Sequence, residues 1–235
     1  MENSIISLRL KKIDQMILAT LALLALALIF VQYGNFDVWL QNKFFDFAQK
    51  KWLVDKTEPV AKFFFYQFPK MLFSLAIIGC LLVSLFSKTK NRRKFILIFL
   101  GFALIPLIAG NVKKFTNVYC PAQLEIYGGA KPYIKIFSSY PQDFKAEKRG
   151  QCFPAGHAVT GFALLILFFA LEKKSNRVLG FCAAIIFGWA MGTYQMLKGA
   201  HFFGDTLIAM LLCFLIAAIL ARINEVQLAK TLPKN

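Results

Sequence analysis

Apolar residues fall in six long blocks separated by short charged or polar stretches, and each block reads as a helix that crosses a bilayer. A hydrocarbon core needs about 20 residues of helix. The blocks run over Ile13–Tyr33, Pro69–Ser87, Phe95–Val112, His157–Leu171, Val178–Leu197 and Phe202–Ile223. The fourth is short and is expected to draw on flanking residues. Between the first two, Phe36, Leu40, Phe44 and Phe47 recur at steps of four, four and three, the spacing of one helix face. This predicts an amphipathic helix at the interface, its apolar face turned either to the acyl boundary or onto the bundle. The stretch from Tyr119 to Pro154 is rich in Gly, Pro and Tyr and predicts a loop. No repeat and no second domain is visible. The expected architecture is one all-α membrane protein domain over residues 1–235, a six-transmembrane helix bundle with an interfacial helix in the first outer loop.

Charge sets the orientation. Lys88, Lys90, Arg92, Arg93 and Lys94 lie between the second and third blocks without an acidic residue, and Lys173, Lys174 and Arg177 lie between the fourth and fifth. Cytoplasmic loops carry such an excess of Lys and Arg, so both termini are expected in the cytoplasm and segments 34–68, 113–156 and 198–201 outside. The first block follows Arg9, Lys11 and Lys12 like a signal peptide, but no small-residue cleavage site follows it, and it is expected to be retained. Only 17% of residues are charged, against about 25% in a soluble domain. The net charge of +16 therefore reads as membrane-flanking lysine and arginine, and nucleic acid is not expected as a partner.

Few residue types could carry chemistry. Cys80, Cys182 and Cys213 fall inside apolar blocks and read as small packing residues. Cys120 and Cys152 share the second outer segment, where an oxidising compartment would join them in a disulfide; a zinc site would want further Cys or His ligands. The chain has only two histidines, His157 and His201, each at the outer start of an apolar helix. Asp205 follows His201 by four residues, on the same helix face, where a carboxylate can hold an imidazole in one tautomer. Helix N-termini bind anions, and in the turn Phe153-Pro154-Ala155-Gly156-His157 a glycine lets a ligand oxygen approach the backbone. Lys113 and Lys114 either add positive charge to that place or simply flank the membrane. A cationic pocket with two imidazoles and one carboxylate favours phosphoryl chemistry, and no residue cluster suits a metal or another cofactor.

These clusters resemble the signature of membrane-type phosphatidic acid phosphatases, a superfamily shared with bacterial acid phosphatases and vanadium haloperoxidases. Its pattern is Lys-x6-Arg-Pro, Pro-Ser-Gly-His and Ser-Arg-x5-His-x3-Asp. Here the first reads Lys113-x6-Cys120-Pro121, the second Pro154-Ala155-Gly156-His157, and the third ends His201-x3-Asp205. The string from Cys120-Pro121 through Tyr127-Gly128-Gly129 to Cys152-Phe153-Pro154 is similar to a bacterial branch that includes lipid A phosphatases. The resemblance implies a hydrolase with no metal or cofactor in the bacterial inner membrane, its site on the periplasmic side. His201 would be the nucleophile, Asp205 its orienting partner and His157 the acid and base. Lys113, Ala155 and Gly156 would bind the phosphate. A membrane phospholipid or lipid A would be the substrate, with lipid A the first choice.

Four departures qualify the match. Cys120 and Gln195 stand where the family has arginines, Tyr194 where it has serine, and Ala155 replaces a hydroxyl. Lys198, Arg149 and Lys114 are the basic residues placed to compensate. Transfer of the phosphate to an acceptor, hydrolysis of undecaprenyl pyrophosphate or a glycerolipid phosphate, and a non-catalytic anionic-lipid binder or transporter remain as rivals.

Overall fold

The computed structural model describes residues 2–88, 91–145 and 148–231; Lys90 of the expected cytoplasmic loop lies outside them. Apolar blocks in lipid have no water to bond their backbone, and helices satisfy it internally. α1 spans Glu2–Tyr33 and α2 Phe36–Gln41. A two-stranded antiparallel ribbon, β1 (Phe45–Asp46) and β2 (Lys51–Trp52), pairs Phe45 with Trp52. α3 (Pro59–Lys62), a π-helical segment (Phe63–Gln67) and α4 (Phe68–Phe86) form one continuous helix. α5 spans Arg92–Thr116, α6 Gly156–Phe162, α7 Ile166–Ala170, α8 Lys174–Leu197 and α9 Phe203–Thr231.

Among the described residues, five helices are long and apolar enough to cross a membrane: Ile5–Tyr33, Pro59–Phe86, Arg92–Gln123, Lys174–Leu197 and Phe203–Thr231. They fit a multi-pass membrane protein. Their outward surface is apolar, with Leu18 67% and Leu179 70% exposed, more apolar surface than a water-soluble monomer leaves uncovered. The fourth expected span is the shorter helix Gly156–Ala170, in which a 3-10 turn at Ala163–Leu165 separates α6 from α7. At about 1.5 Å per residue it reaches roughly 22 Å, short of a ~30 Å hydrocarbon core.

Two expected boundaries move. The second span begins at Pro59 rather than Pro69, because the Glu58 side chain caps the N–H groups of Val60 and Ala61 and Pro59 occupies the first turn. Pro69 is carried inside the helix: it has no N–H to give the preceding turn, and the wider π-helical turn lies just before it. The expected interfacial helix ends at Gln41. Phe44 leads into the ribbon, and α2 buries its polar residues Asp37 and Gln41 against the bundle, with Gln41 donating to the Met196 carbonyl at 2.8 Å.

The core lies between α5, α6–α7, α8 and α9, around Ile105, Phe162, Ile166, Ala184, Ala209 and Cys213. Small residues set how closely these helices pack. A Cβ on Gly161 would come within 2.5 Å of the Gly188 backbone, so α6 and α8 touch main chain to main chain. This contact fixes the distance between the two helices that carry His157 and the His201 turn.

Candidate active site

His201 sits in the turn between α8 and α9, and the turn is built by glycine. Gly199 takes φ +73, a left-handed conformation that glycine alone adopts freely. The N–H of Ala200 donates to the Gln195 carbonyl at 2.8 Å and that of Gly199 to Met196 at 3.0 Å, a Schellman ending of α8. The ring of Trp52 lies where a Gly199 side chain would go. The Val54 N–H also donates to the Leu197 carbonyl at 3.2 Å, and Ala122 to Gly199 at 2.8 Å. The ribbon and the loop after α5 thus clamp the turn.

Four residues on, in the first turn of α9, Asp205 faces the imidazole. His201 Nδ1 and Asp205 Oδ2 are 3.1 Å apart, and the same oxygen accepts the Phe202 N–H at 3.0 Å. Both side chains are buried. Burial pushes the His201 imidazole down from its ordinary value to about 3, and the charges of Lys113 and Lys198 act in the same direction. A neutral ring that donates Nδ1–H to Asp205 would keep a free lone pair on Nε2.

His157, at the start of α6, lies with its ring 5.9 Å from that of His201, centre to centre. Its Nδ1 is buried without a partner among the described residues. The Ala155 N–H donates to the Asp205 carbonyl at 3.0 Å, tying the two helix starts together. Ala155 caps α6 without a side-chain hydrogen bond. The first N–H groups of the helix, at Gly156, His157 and Ala158, have no intrahelical acceptor. Lys113 comes from the last turn of α5, its Nζ 3.0 Å from the point where a Gly156 Cβ would sit. Any side chain at 156 would displace it.

Cys120 and Cys152 are joined in a disulfide, their Cα atoms 5.1 Å apart, and Cys152 Sγ lies 3.3 Å from His201 Nδ1. Cys152, His201 and Asp205 bring donor atoms within 4.8 Å of one another. The Cys152 sulfur is spent on Cys120 and offers no thiolate, so the trio lacks the donor set that a tetrahedral cation needs.

The candidate compensating cations are placed differently. Lys198 is half-buried, with Nζ 4.6 Å from the Tyr194 ring centre and 5.9 Å from that of Tyr66. Arg149 is exposed and donates to the Phe115 carbonyl at 3.4 Å. Lys114 is exposed beside it. Gln195 is fully buried, and its amide N and O find no partner among the described residues.

The structure adds three residues that the sequence pattern did not single out. The Tyr66 ring is 5.0 Å from that of His157, and Lys70 Nζ lies 4.0 Å over Tyr66. Their signal was an i, i+4 pair near the start of the second span, hidden when the span is started at Pro69. Asp37 of α2 accepts the Gly204 N–H at 2.7 Å; an acid in a strongly aromatic segment was its only mark.

The geometry therefore gathers two histidines, one carboxylate and several lysines at one end of the bundle. A family model described as PAP2 superfamily matches residues 94–228, more than half of the chain. No curated protein and no solved structure matches it.

Proposed function

The chain belongs to the PAP2 superfamily, whose members are phosphatases, and from that membership we propose that it is a metal-independent lipid phosphatase working through a phosphohistidine. One observation carries the reading: His201 is held by Asp205 through Nδ1, while the His157 ring stands across from it at 5.9 Å. Nucleophile, orienting group and acid–base partner are the parts that covalent catalysis requires.

His201 Nε2 attacks phosphorus and the phosphorus–oxygen bond to the lipid breaks. His157 gives its proton to the departing oxygen. In the second half His157 takes a proton from water, the hydroxide attacks phosphorus, and the phosphorus–nitrogen bond breaks to free inorganic phosphate. Asp205 keeps Nδ1–H oriented in both halves and stabilises positive charge as it develops on the ring. Lys113, Lys198 and the open N–H groups of Gly156 and His157 balance charge on the equatorial oxygens. Positioned cations supply what a metal would otherwise provide.

A groove supports a lipid as substrate. It holds about 840 Å³ and is lined by Phe64, Phe68, Leu72, Gly161, Leu164 and Phe187, starting one helical turn along α6 from His157. An acyl chain lying there would leave its phosphate at the histidines. Lipid A is the first choice, on the likeness of the cysteine-bearing loop to the lipid A phosphatase branch. In this reading the helix Gly156–Ala170 completes six crossings, α2 rests at the interface, and the site faces the periplasm of a bacterial inner membrane with both termini in the cytoplasm.

The test is phosphate release by purified protein from lipid A, undecaprenyl pyrophosphate and a glycerolipid phosphate, with chelator present. Activity that survives EDTA and is inhibited by orthovanadate is expected, because vanadate takes the five-coordinate shape that the site binds best. Loss of activity in chelator with rescue by a divalent ion would overturn the metal-free mechanism. Release from none of the three lipids would favour a non-catalytic anionic-lipid binder, and transfer to an added lipid hydroxyl would make the protein a phosphotransferase.

A further inference from the structure

One wall of the site, beside His157, comes from the second span, outside the residues 94–228 that match the family. Tyr66 sits on the π-helical segment with its ring 5.0 Å from His157. Lys70, four residues on, places Nζ 4.0 Å from the centre of the Tyr66 ring, and Lys198 approaches the same ring from α8 at 5.9 Å. Lys113 completes the set of lysines around the site, its Nζ 3.0 Å from the point where a Gly156 Cβ would sit. Among the described residues, no carboxylate forms an ion pair with any of the three. Three lysines from three parts of the chain thus stand around His157 and Tyr66, with no ion-paired carboxylate among the described residues.

An anion of high charge density fits such a pocket. A phosphoryl group in transfer spreads its charge over three equatorial oxygens, and Lys113 over Gly156 can serve only the side nearest α5. The positions at which the family pattern has arginines hold a disulfide-bonded Cys120 and a neutral, buried Gln195. Phe64 and Phe65, which precede Tyr66 on the π-helical segment, and Phe68 at the start of α4 line the apolar groove.

We propose that Tyr66 and Lys70 are phosphate-binding residues, Lys70 through its ammonium and Tyr66 through its hydroxyl, and that with Lys198 they take the place of the missing arginines. The identity of the anion rests on the phosphatase reading; the existence of the subsite does not.

Orthovanadate binding to purified protein in detergent, followed by the shift in thermal midpoint, tests the subsite without turnover. Lys70→Met is expected to weaken binding at least about tenfold, Lys70→Arg to restore most of it, and Tyr66→Phe to weaken it about threefold, the range of single charge-assisted and neutral hydrogen bonds. Lys174→Met, at the other end of α8, controls for the loss of one charge and should bind as wild type does. If Lys70→Met does not fold, Lys70→Gln and Tyr66→Phe carry the same comparison. Orthovanadate affinity within twofold of wild type in the folded Lys70 and Tyr66 variants overturns the proposal, as does a wild-type protein that binds no orthovanadate. A wild-type protein that binds orthovanadate, with Lys70 required, but releases phosphate from no lipid would sink the phosphatase reading and leave the subsite standing.

Discussion

The side chain of Asp37 accepts a hydrogen bond from the Gly204 N–H at 2.7 Å, joining residues 167 positions apart. It satisfies one of the open N–H groups at the start of α9, the turn that carries Asp205. Burial, and secondarily the charge of Asp205, raise the Asp37 carboxyl from its ordinary 3.8 to about 7.

That shift has a sign. A carboxyl whose value is raised on folding binds a proton more tightly in the folded chain, so its contribution to stability is full below about pH 4 and is lost as the pH climbs through 7. Wild-type thermal midpoints in detergent are expected to fall across this window relative to Asp37→Asn, which keeps an acceptor for Gly204 but cannot ionise. Parallel midpoint profiles for the two proteins would show that Asp37 does not titrate there.

His201→Ala and His157→Ala are each expected to remove nearly all phosphate release, since general acid–base contributions alone are worth about 10²-fold or more. Asp205→Asn should cost heavily too, because an amide can present its N–H rather than its oxygen to Nδ1 and then favours the wrong tautomer. Turnover is measured beside the size-exclusion profile of each variant. A well-folded variant of either histidine that kept more than about a tenth of wild-type turnover would contradict its role.

Much of the site was legible because its parts are local. The spacing of His201 and Asp205 is one helical turn, and Lys113, Gly156 and His157 belong to short segments at helix ends. What brings them together is tertiary: the main-chain contact of Gly161 with Gly188 and the clamp on the His201 turn. Asp37, Tyr66 and Lys70 escaped because the usual cue is inverted in lipid. Apolar residues face outward here as readily as inward, so the stripe Phe36, Leu40, Phe44 and Phe47 did not mark a buried face. α2 buries Asp37 and Gln41 and leaves Trp39 exposed. Among the described residues, five of the six expected spans are helices long enough to cross, and the second was started too late at Pro69, since a capping Glu58 sets its start at Pro59.

The Cys120–Cys152 disulfide closes a loop across 32 positions, and chain-entropy arguments give roughly 3–4 kcal/mol for a loop of that length. The double variant Cys120→Ser, Cys152→Ser is expected to unfold at correspondingly lower temperature. Because Cys152 Sγ lies 3.3 Å from His201 Nδ1, turnover should fall as well. Wild-type protein treated with a membrane-permeant reductant should show the same loss, and thermal melts with and without reductant measure it. Superimposable melts would mean that the bridge does not constrain the unfolded chain.

Replacement of the family arginines can be tested one cation at a time. Lys198 reaches Tyr66 and Tyr194 from the end of α8. Lys198→Met is therefore expected to lower kcat/KM at least about tenfold, roughly 1.4 kcal/mol of transition-state binding. Arg149 is exposed on the Phe115 carbonyl, and Arg149→Gln should change kcat/KM less than about threefold. Gln195 offers a buried amide without a partner among the described residues, so Gln195→Arg replaces that group by the family's own cation. In the Lys198→Met background it should recover part of the lost kcat/KM. In the wild-type background it should give little, because two cations would then share one place. Equal effects of Lys198→Met and Arg149→Gln, or no recovery by Gln195→Arg in a folded double variant, would show that Lys198 does not do the work of the missing arginine.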